Sequence, residues 1–146
     1  MIVWRISEFA DLSGIGGVKF PGRWNSAGHP IVYTAEHPAL ALCEMLVHFD
    51  TEDMPERFQL LQIEIQDEQI EDVRIDIGLD WRWRHIPYTT KSLGDDWLKS
   101  KSSPALKVPS ALLPYANNYL LNPAHEDSEK WKIIDVSQVL LDPRFR

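Results

Sequence analysis

The sequence predicts an α+β protein in which a mixed or antiparallel sheet packs against a few helices. Six or seven short runs have the residue types of β-strands, and two or three runs have those of helices. The strand-like runs cluster without a helix between each pair, whereas a doubly wound parallel sheet needs regular alternation. The 146 residues predict one domain, 1–146, because one core commonly serves about 100–200 residues.

The first half of the chain contains two predicted strands and one predicted helix. Ile2–Ile6 is β-prone and is followed by the glycine-rich segment 11–17, which predicts a loop. Residues 31–35 predict a short buried strand. Residues 38–49 contain strong helix formers, and a proline at their start suits a first helical turn. This segment is the clearest predicted helix in the chain.

The second half of the chain is rich in predicted strands. Phe58–Ile65 and Val73–Ile77 alternate apolar and polar residues, which predicts two half-buried strands that pair as neighbours. Residues 81–88 are aromatic and interrupted by proline, so they are interpreted as a loop, and residues 92–101 predict a short helix. Further strands are predicted at residues 105–108, 119–122 and 130–141.

Composition and charge narrow the classes of function. The net charge is −7, so the chain lacks the basic surface that direct nucleic-acid binding requires. A few well-placed arginines could still bind an anionic small molecule. The single cysteine cannot form a disulfide within the chain, and neither a targeting segment nor an apolar run of about 20 residues is visible. These features predict a cytoplasmic protein without a membrane role, and the histidine spacing predicts no metal site.

Two aromatic or basic residues admit both a structural and a functional interpretation. Arg23, in a loop between glycines and prolines, could donate to a phosphate or could simply stack on Trp24. Tyr33 lies in a predicted strand. It is therefore either a core aromatic residue or a platform for a planar heterocycle.

Glu44 and Ser110 are equally open at this stage. Glu44 falls on the less apolar stripe of the predicted helix, together with His37 and His48. It either faces solvent or lines a wet cleft, where a carboxylate could stabilise the positive charge that develops when a glycosidic bond breaks. Ser110 follows a predicted strand but has no surrounding GxSxG motif, so a hydrolase triad is disfavoured and a turn serine is the alternative.

Five motifs in a fixed order carry more information than these residues taken singly. They are WRIS, GRWNSAG, VYTAEHPALALCE, VPSALLPYANNYLLNP and LDPRF. Together they make the chain resemble the RES domain family, the toxin half of Xre–RES toxin–antitoxin modules, from Trp4 to Arg144. The catalytic residues that this resemblance implies are Arg23, Glu44 and Ser110. The implied NAD-binding residues are Arg5, Arg23, Tyr33, Ser110 and Asn118.

The resemblance also implies a fold, a substrate and a reaction. The fold would be similar to that of ADP-ribosyltransferases, with NAD bound as substrate in a cleft beside the sheet and no metal. In this hypothesis Arg23 holds the diphosphate, Tyr33 packs on nicotinamide, Ser110 orients nicotinamide or ribose, and Glu44 stabilises the ribosyl cation. The nicotinamide–ribose bond would break, with water, phosphate or a protein side chain as acceptor.

The implied partner is an Xre-type helix-turn-helix antitoxin that blocks the cleft and supplies the DNA binding. The toxin is expected to form a homodimer inside that complex. Two alternatives to NAD degradation remain. One is a mono-ADP-ribosyltransferase that modifies a host protein, and the other is an inactive binding module that keeps the fold for complex assembly.

Overall fold

The computed structural model describes residues 1–145 of the chain, with only the backbone at residue 87. Seven strands are numbered in chain order: β1 Ile2–Ile6, β2 Val32–Ala35, β3 Arg57–Glu64, β4 Ile70–Asp72, β5 Ala105–Pro109, β6 Asn117–Leu121 and β7 Lys132–Leu140. Three α-helices accompany them: α1 Ile15–Lys19, α2 Pro38–Leu46 and α3 Pro87–Ser100. The remaining helical segments are short 3₁₀ turns, among them Trp83–His85 just before α3.

All seven strands join one sheet in the order β4-β5-β6-β2-β1-β3-β7. Only β4 and β5 run parallel, and α3 supplies the long crossover that a parallel pair requires. Every other neighbouring pair is antiparallel. The predicted α+β class with a mixed sheet is therefore confirmed.

Apolar side chains cover both faces of the sheet. One core contains Val3, Leu61 and Trp131, and the other contains Trp24, Trp97 and Leu120. A third, smaller cluster joins Leu40 and Ala41 of α2 to Ala35 of β2 and to partly buried residues of β1. This cluster seats α2 over the centre of the sheet, where β1 and β2 meet at the single register pair Trp4–Ala35.

The predicted strand Val73–Ile77 is wrong. The strand occupies Ile70–Asp72, and a turn follows because the carboxylate of Asp76 accepts the backbone N–H of Asp72 at 2.8 Å. The expected pairing with the preceding strand is wrong as well. β3 lies between β1 and β7, whereas β4 pairs with β5, because residues 65–69 carry the chain from β3 to the opposite edge of the sheet.

Helix boundaries also differ from the sequence-based expectations. α2 ends at Leu46, three residues before the predicted end, and α3 begins at Pro87, five residues before the predicted start. The glycine-rich segment expected to be a loop contains α1. Glycine at position 17 lets α1 lie close to Ile31, because a Cβ at this position would lie 2.4 Å from Ile31 Cγ2. Helix propensity counts glycine as unfavourable and does not take such close packing into account. Among the described residues, no helix has the length and apolar character needed to cross a membrane.

Candidate active site

Two adjoining cavities open beside α2, and together we call them the cleft. The β1–β2 cavity, about 300 Å³, is lined by both strands and by α2. The Arg23 cavity, about 720 Å³, is lined by α2, α3 and the loop that carries Arg23. Their volumes are in the range of small-molecule sites. The residues common to both cavities are Tyr33, Glu44, His48 and Asn118.

Glu44 lies at the junction of the two cavities. α2 begins at Pro38 and is capped by His37, whose Nδ1 accepts the Ala39 N–H at 3.0 Å. Packing of the helix against the sheet then directs Glu44 toward the cleft, and His48, two residues beyond the helix end, also lines it. Of the two interpretations left open by the sequence, the position of Glu44 matches a cleft carboxylate rather than one facing open solvent.

The carboxylate of Glu44 is held through one oxygen. Oε1 accepts the Ser110 hydroxyl at 2.9 Å and the Asn118 Nδ2–H at 2.9 Å. Neither of these bonds uses Oε2. Since both donors come from the sheet and its margin, the arrangement fixes the orientation of the carboxylate and leaves its second oxygen for another contact.

Ser110 stands behind Glu44 rather than on the wall of the cleft. It is only 1% exposed and lines neither cavity. Its Oγ accepts the backbone N–H groups of Leu112 at 3.1 Å and Leu113 at 3.4 Å. These two donors direct the hydroxyl proton toward Glu44. The contacts of Ser110 therefore point to holding Glu44, not to touching a ligand.

Ser110→Ala should lower the rate of the NAD cleavage that the RES resemblance implies by up to about 10²-fold. The reason is that Glu44 would lose the Ser110 hydroxyl, and small misplacements of a reacting group have effects of that size. Ser110→Thr should recover much of the rate, since it restores a hydroxyl. Steady-state turnover, with thermal unfolding as the check on folding, measures both variants. Ser137→Ala on the edge strand β7 is the matched control, and an unchanged rate in Ser110→Ala would contradict the role.

Tyr33 combines the two roles that the sequence left open. Its hydroxyl donates to Asn25 Oδ1 at 2.5 Å and accepts the Trp24 N–H at 3.2 Å, which anchors the loop carrying Arg23. Tyr33 as a whole is 37% exposed and lines both cavities. Burial raises the pKa of Tyr33 to about 12, so the phenol is neutral at physiological pH.

Tyr33→Phe should destabilise the protein by about 1–3 kcal/mol, because Asn25 Oδ1 and the Trp24 N–H lose their partner. The raised pKa of Tyr33 contributes stability that is complete below pH 10, the ordinary value, and is lost as pH rises toward about 12. Chemical unfolding at neutral and alkaline pH should show a larger alkaline loss in the unsubstituted protein than in the variant, because burial also raises the pKa of Tyr119, which both proteins retain. Tyr88→Phe at the exposed Tyr88 is the control, and equal alkaline losses in Tyr33→Phe and the unsubstituted protein would refute the assignment.

Arg23 is exposed and lines the larger cavity. Its guanidinium carbon lies 5.8 Å from the ring centroid of Trp83, not over Trp24 as the simpler interpretation of the sequence suggested. Trp24 is buried instead, with its ring 5.9 Å from that of Trp83. The Arg23 carbonyl accepts the Thr90 hydroxyl at 2.8 Å, which ties this loop to α3.

Arg5 and Asn118, the two secondary members of the predicted set, also lie on the cleft. Arg5 of β1 lines the smaller cavity, and its buried Nη1 has no hydrogen-bond partner among the residues that the structure describes. Burial lowers the pKa of Arg5 while nearby Asp11 opposes that effect. The guanidinium nevertheless stays charged at physiological pH. Asn118 Oδ1 is likewise buried and accepts no hydrogen bond from the described part of the chain. A desolvated cation beside an open cavity is suited to an anionic ligand.

The sequence did not single out several residues of the cleft. Thr90 and Lys91 line the larger cavity, but α3 was expected to begin after them. His48 was noted only for its helical stripe, yet it lines both cavities. Within the part of the chain that the structure describes, no group of three His, Cys, Asp or Glu side chains is arranged to hold a metal ion.

Comparison with known proteins agrees with this picture. The sequence model of the RES domain family matches residues 2–142. The chain belongs to the RES domain family. A relative named Toxin Res from Pseudomonas putida is 44% identical over 135 residues, covering 91% of this chain and 92% of the relative. A second Toxin Res, from Yersinia enterocolitica, is 43% identical and covers 99% of this chain and 97% of the relative.

Two further similarities extend the comparison. A protein from Sphingobium sp. named Prs ADP-ribosylating toxin is 35% identical, covering 97% of this RES chain and 94% of that protein. The crystal structure of the M. tuberculosis MbcT–MbcA toxin–antitoxin complex contains a chain with a TM-score of 0.77 and 16% identity, covering 95% of this chain and 84% of that one. At this identity the structural likeness establishes the shared fold.

Proposed function

We propose that this RES protein is the toxin of a toxin–antitoxin system and that it depletes NAD by cleaving the nicotinamide–ribose bond. The observation that carries the proposal is the carboxylate of Glu44, oriented by Ser110 and Asn118 and lying where two cation-bearing cavities meet. Residues 1–146 act as a single domain in this proposal.

The reaction needs stabilisation of positive charge. As the bond between nicotinamide and ribose breaks, the nitrogen takes both electrons and leaves as neutral nicotinamide, and the ribose carbon becomes cationic. A fixed carboxylate beside that carbon lowers the barrier because its attraction strengthens as charge develops. Glu44 is the acidic side chain common to both cavities, so we assign it this role.

Other groups of the cleft suit the rest of the dinucleotide. Arg23 in one cavity and the unpartnered Nη1 of Arg5 in the other provide donors for the diphosphate. The exposed ring of Tyr33 offers a flat surface for nicotinamide. Because these donors and the ring border the same carboxylate, a bound NAD could reach all of them through one continuous cleft.

Product analysis tests the proposal. Protein made by cell-free translation is incubated with NAD, and nicotinamide release is followed by proton NMR. Free ADP-ribose identifies water as the acceptor, and its 1″-phosphate, formed when phosphate is present, identifies phosphorolysis. Loss of cellular NAD after induction without an antitoxin would support depletion in cells. Stable NAD in both assays with folded protein would overturn the proposal and favour the inactive binding module.

Mono-ADP-ribosylation of a protein is the second candidate, supported by the name of the Sphingobium relative, Prs ADP-ribosylating toxin. The same cleft would serve, and the attacking group would be a protein side chain instead of water or phosphate. Intact-protein mass spectrometry of a lysate treated with the toxin and NAD distinguishes the two. A stable ADP-ribosyl adduct, formed faster than free ADP-ribose accumulates, would favour the transferase.

The proposal includes a partner and a location. The MbcT–MbcA complex pairs a protein of this fold with an antitoxin, and we propose an Xre-type helix-turn-helix antitoxin for this chain, with the toxin as a homodimer inside a cytoplasmic complex. The net charge of −7 fits a toxin that leaves DNA binding to its partner. Native mass spectrometry of the co-expressed pair should give two toxin copies per complex.

A further inference from the structure

The side-chain amide of Asn118 has two polar atoms with different surroundings. Its Nδ2 donates to Glu44 Oε1 at 2.9 Å, whereas its Oδ1 is buried and has no hydrogen-bond partner within the described residues 1–145. The amide cannot be exchanged end for end, because Oδ1 would then face a carboxylate oxygen. The orientation of the amide is therefore fixed by Glu44, and the unpartnered atom is an acceptor.

The backbone holds Asn118 at the centre of the sheet. β6 lies between β5 and β2, and Asn118 is opposite Val108 on one side and Ala35 on the other. Ladder bonds on both sides restrict this position more than a loop position would be restricted. Asn118 also lines both cavities together with Glu44. A rigidly held amide beside a reactive carboxylate is suited to fixing its geometry.

From these contacts we infer that Asn118 positions Glu44 for the reaction through Nδ2 and accepts a hydrogen bond from the substrate through Oδ1. The inference rests on the proposed function, because NAD supplies the donor. That donor is a neutral O–H or N–H, from the nicotinamide ribose or from the carboxamide. A buried acceptor without a hydrogen-bond partner costs free energy. The bound substrate would supply the missing donor to Oδ1 and so remove this cost.

Asn118→Asp separates the two roles, because it keeps the acceptor and replaces the donor by a second carboxylate. At about pH 8 the variant should lose roughly 10²-fold in kcat with little change in KM. As pH falls, the two carboxylates take up one shared proton, which restores a donor between them. The ratio of variant to unsubstituted rates should therefore rise between about pH 8 and pH 5. A purely structural defect would lower the rate equally at every pH.

Asn117→Asp is the matched control, since it makes the same substitution one residue earlier on β6, outside both cavities. It should keep kcat and the pH profile of the unsubstituted protein. Both variants retain the other charged or titratable side chains along the cleft. Their effects on the rate therefore cancel from the ratio of variant to unsubstituted rates. These side chains are Arg5, Arg23, His48 and Lys91.

Asn118→Leu, close in shape but without polar atoms, tests the acceptor. It should raise KM for NAD as well as lower kcat. Comparing NAD with nicotinic acid adenine dinucleotide, which lacks the carboxamide N–H, identifies the donor. A preference for NAD that shrinks in Asn118→Leu assigns the carboxamide, and an unchanged preference assigns a ribose hydroxyl.

The outcomes that overturn the inference are distinct from those that overturn the proposed function. Normal kcat in folded Asn118→Asp, or a rate ratio independent of pH, would overturn the positioning role while NAD cleavage stood. An unchanged KM in folded Asn118→Leu would overturn the acceptor role. Absence of nicotinamide release by the unsubstituted protein would overturn the proposed function and this inference with it.

Discussion

Glu44→Gln should reduce nicotinamide release by roughly 10³-fold or more, because it removes the negative charge that we propose stabilises the developing ribosyl cation. The amide oxygen of glutamine can still accept from Ser110 and Asn118 at the Oε1 position, so the local structure should survive. The substitution therefore separates charge from packing. Single-turnover measurement of nicotinamide release gives the effect on the chemical step without interference from product release.

The control for this variant is Glu52→Gln, which makes the same substitution at an exposed site in the Thr51–Asp53 turn, away from the cleft. It should keep full activity. Thermal unfolding of Glu52→Gln should match that of the unsubstituted protein within about 2 °C, as is usual for surface substitutions. Glu44→Gln should unfold cooperatively at a similar temperature, because the amide oxygen keeps both hydrogen bonds. Full activity in folded Glu44→Gln would remove the carboxylate from the mechanism.

Gly94→Ala should cause the largest loss of stability among the substitutions considered. A Cβ at Gly94, in α3, would lie 1.7 Å from the carbonyl oxygen of Trp24, and backbone cannot yield as a flexible side chain does. Overpacking of this kind costs about 3 kcal/mol. For a chain of this length, that corresponds to a fall of roughly 10 °C in Tm, measured by calorimetry.

The same substitution should also impair the cleft. α3 holds the Arg23 loop through the Thr90 hydroxyl on the Arg23 carbonyl at 2.8 Å and through Asp95, which accepts the Ser26 N–H at 2.8 Å. Pushing Trp24 away from α3 would displace Arg23 from its cavity, so KM for NAD should rise. Gly16→Ala in α1 is the control, because a Cβ there meets nothing within 4 Å. Equal Tm values for the two variants would show that the loop adjusts without cost.

Local patterns predicted the parts of the site that depend on short-range structure. Pro38 and the helix formers after it predicted α2, and helical spacing predicted that Glu44 faces a wet cleft as one of two alternatives. His48, expected on the same stripe, lies two residues beyond the helix but also lines the cleft. The length of a helix is less local. α2 ends before Phe49, and α3 begins at Pro87, within a stretch whose aromatic residues predicted a loop. Packing against the rest of the protein, rather than local sequence, decides where a helix begins and ends.

Strand pairing was the least predictable part of the fold. The alternation in Phe58–Ile65 correctly indicated a strand, but it carries no information about which strand lies beside it. β3 pairs with β1 and β7, two strands that are distant from it along the chain. The expectation that consecutive strands are neighbours failed at β3 and β4, because the short segment between them leads to the opposite edge of the sheet.

The sequence by itself determined the family, the α+β class and the identities of the residues that could carry chemistry. Only the tertiary structure decided how they act together. Ser110 and Asn118 are 66 and 74 residues from Glu44 along the chain, and they reach one carboxylate oxygen because the β5–β6–β2–β1 order brings their strands beneath α2. Hydrogen bonds form only within about 3 Å and along preferred directions, so strand order and register, which no local pattern specifies, decide them.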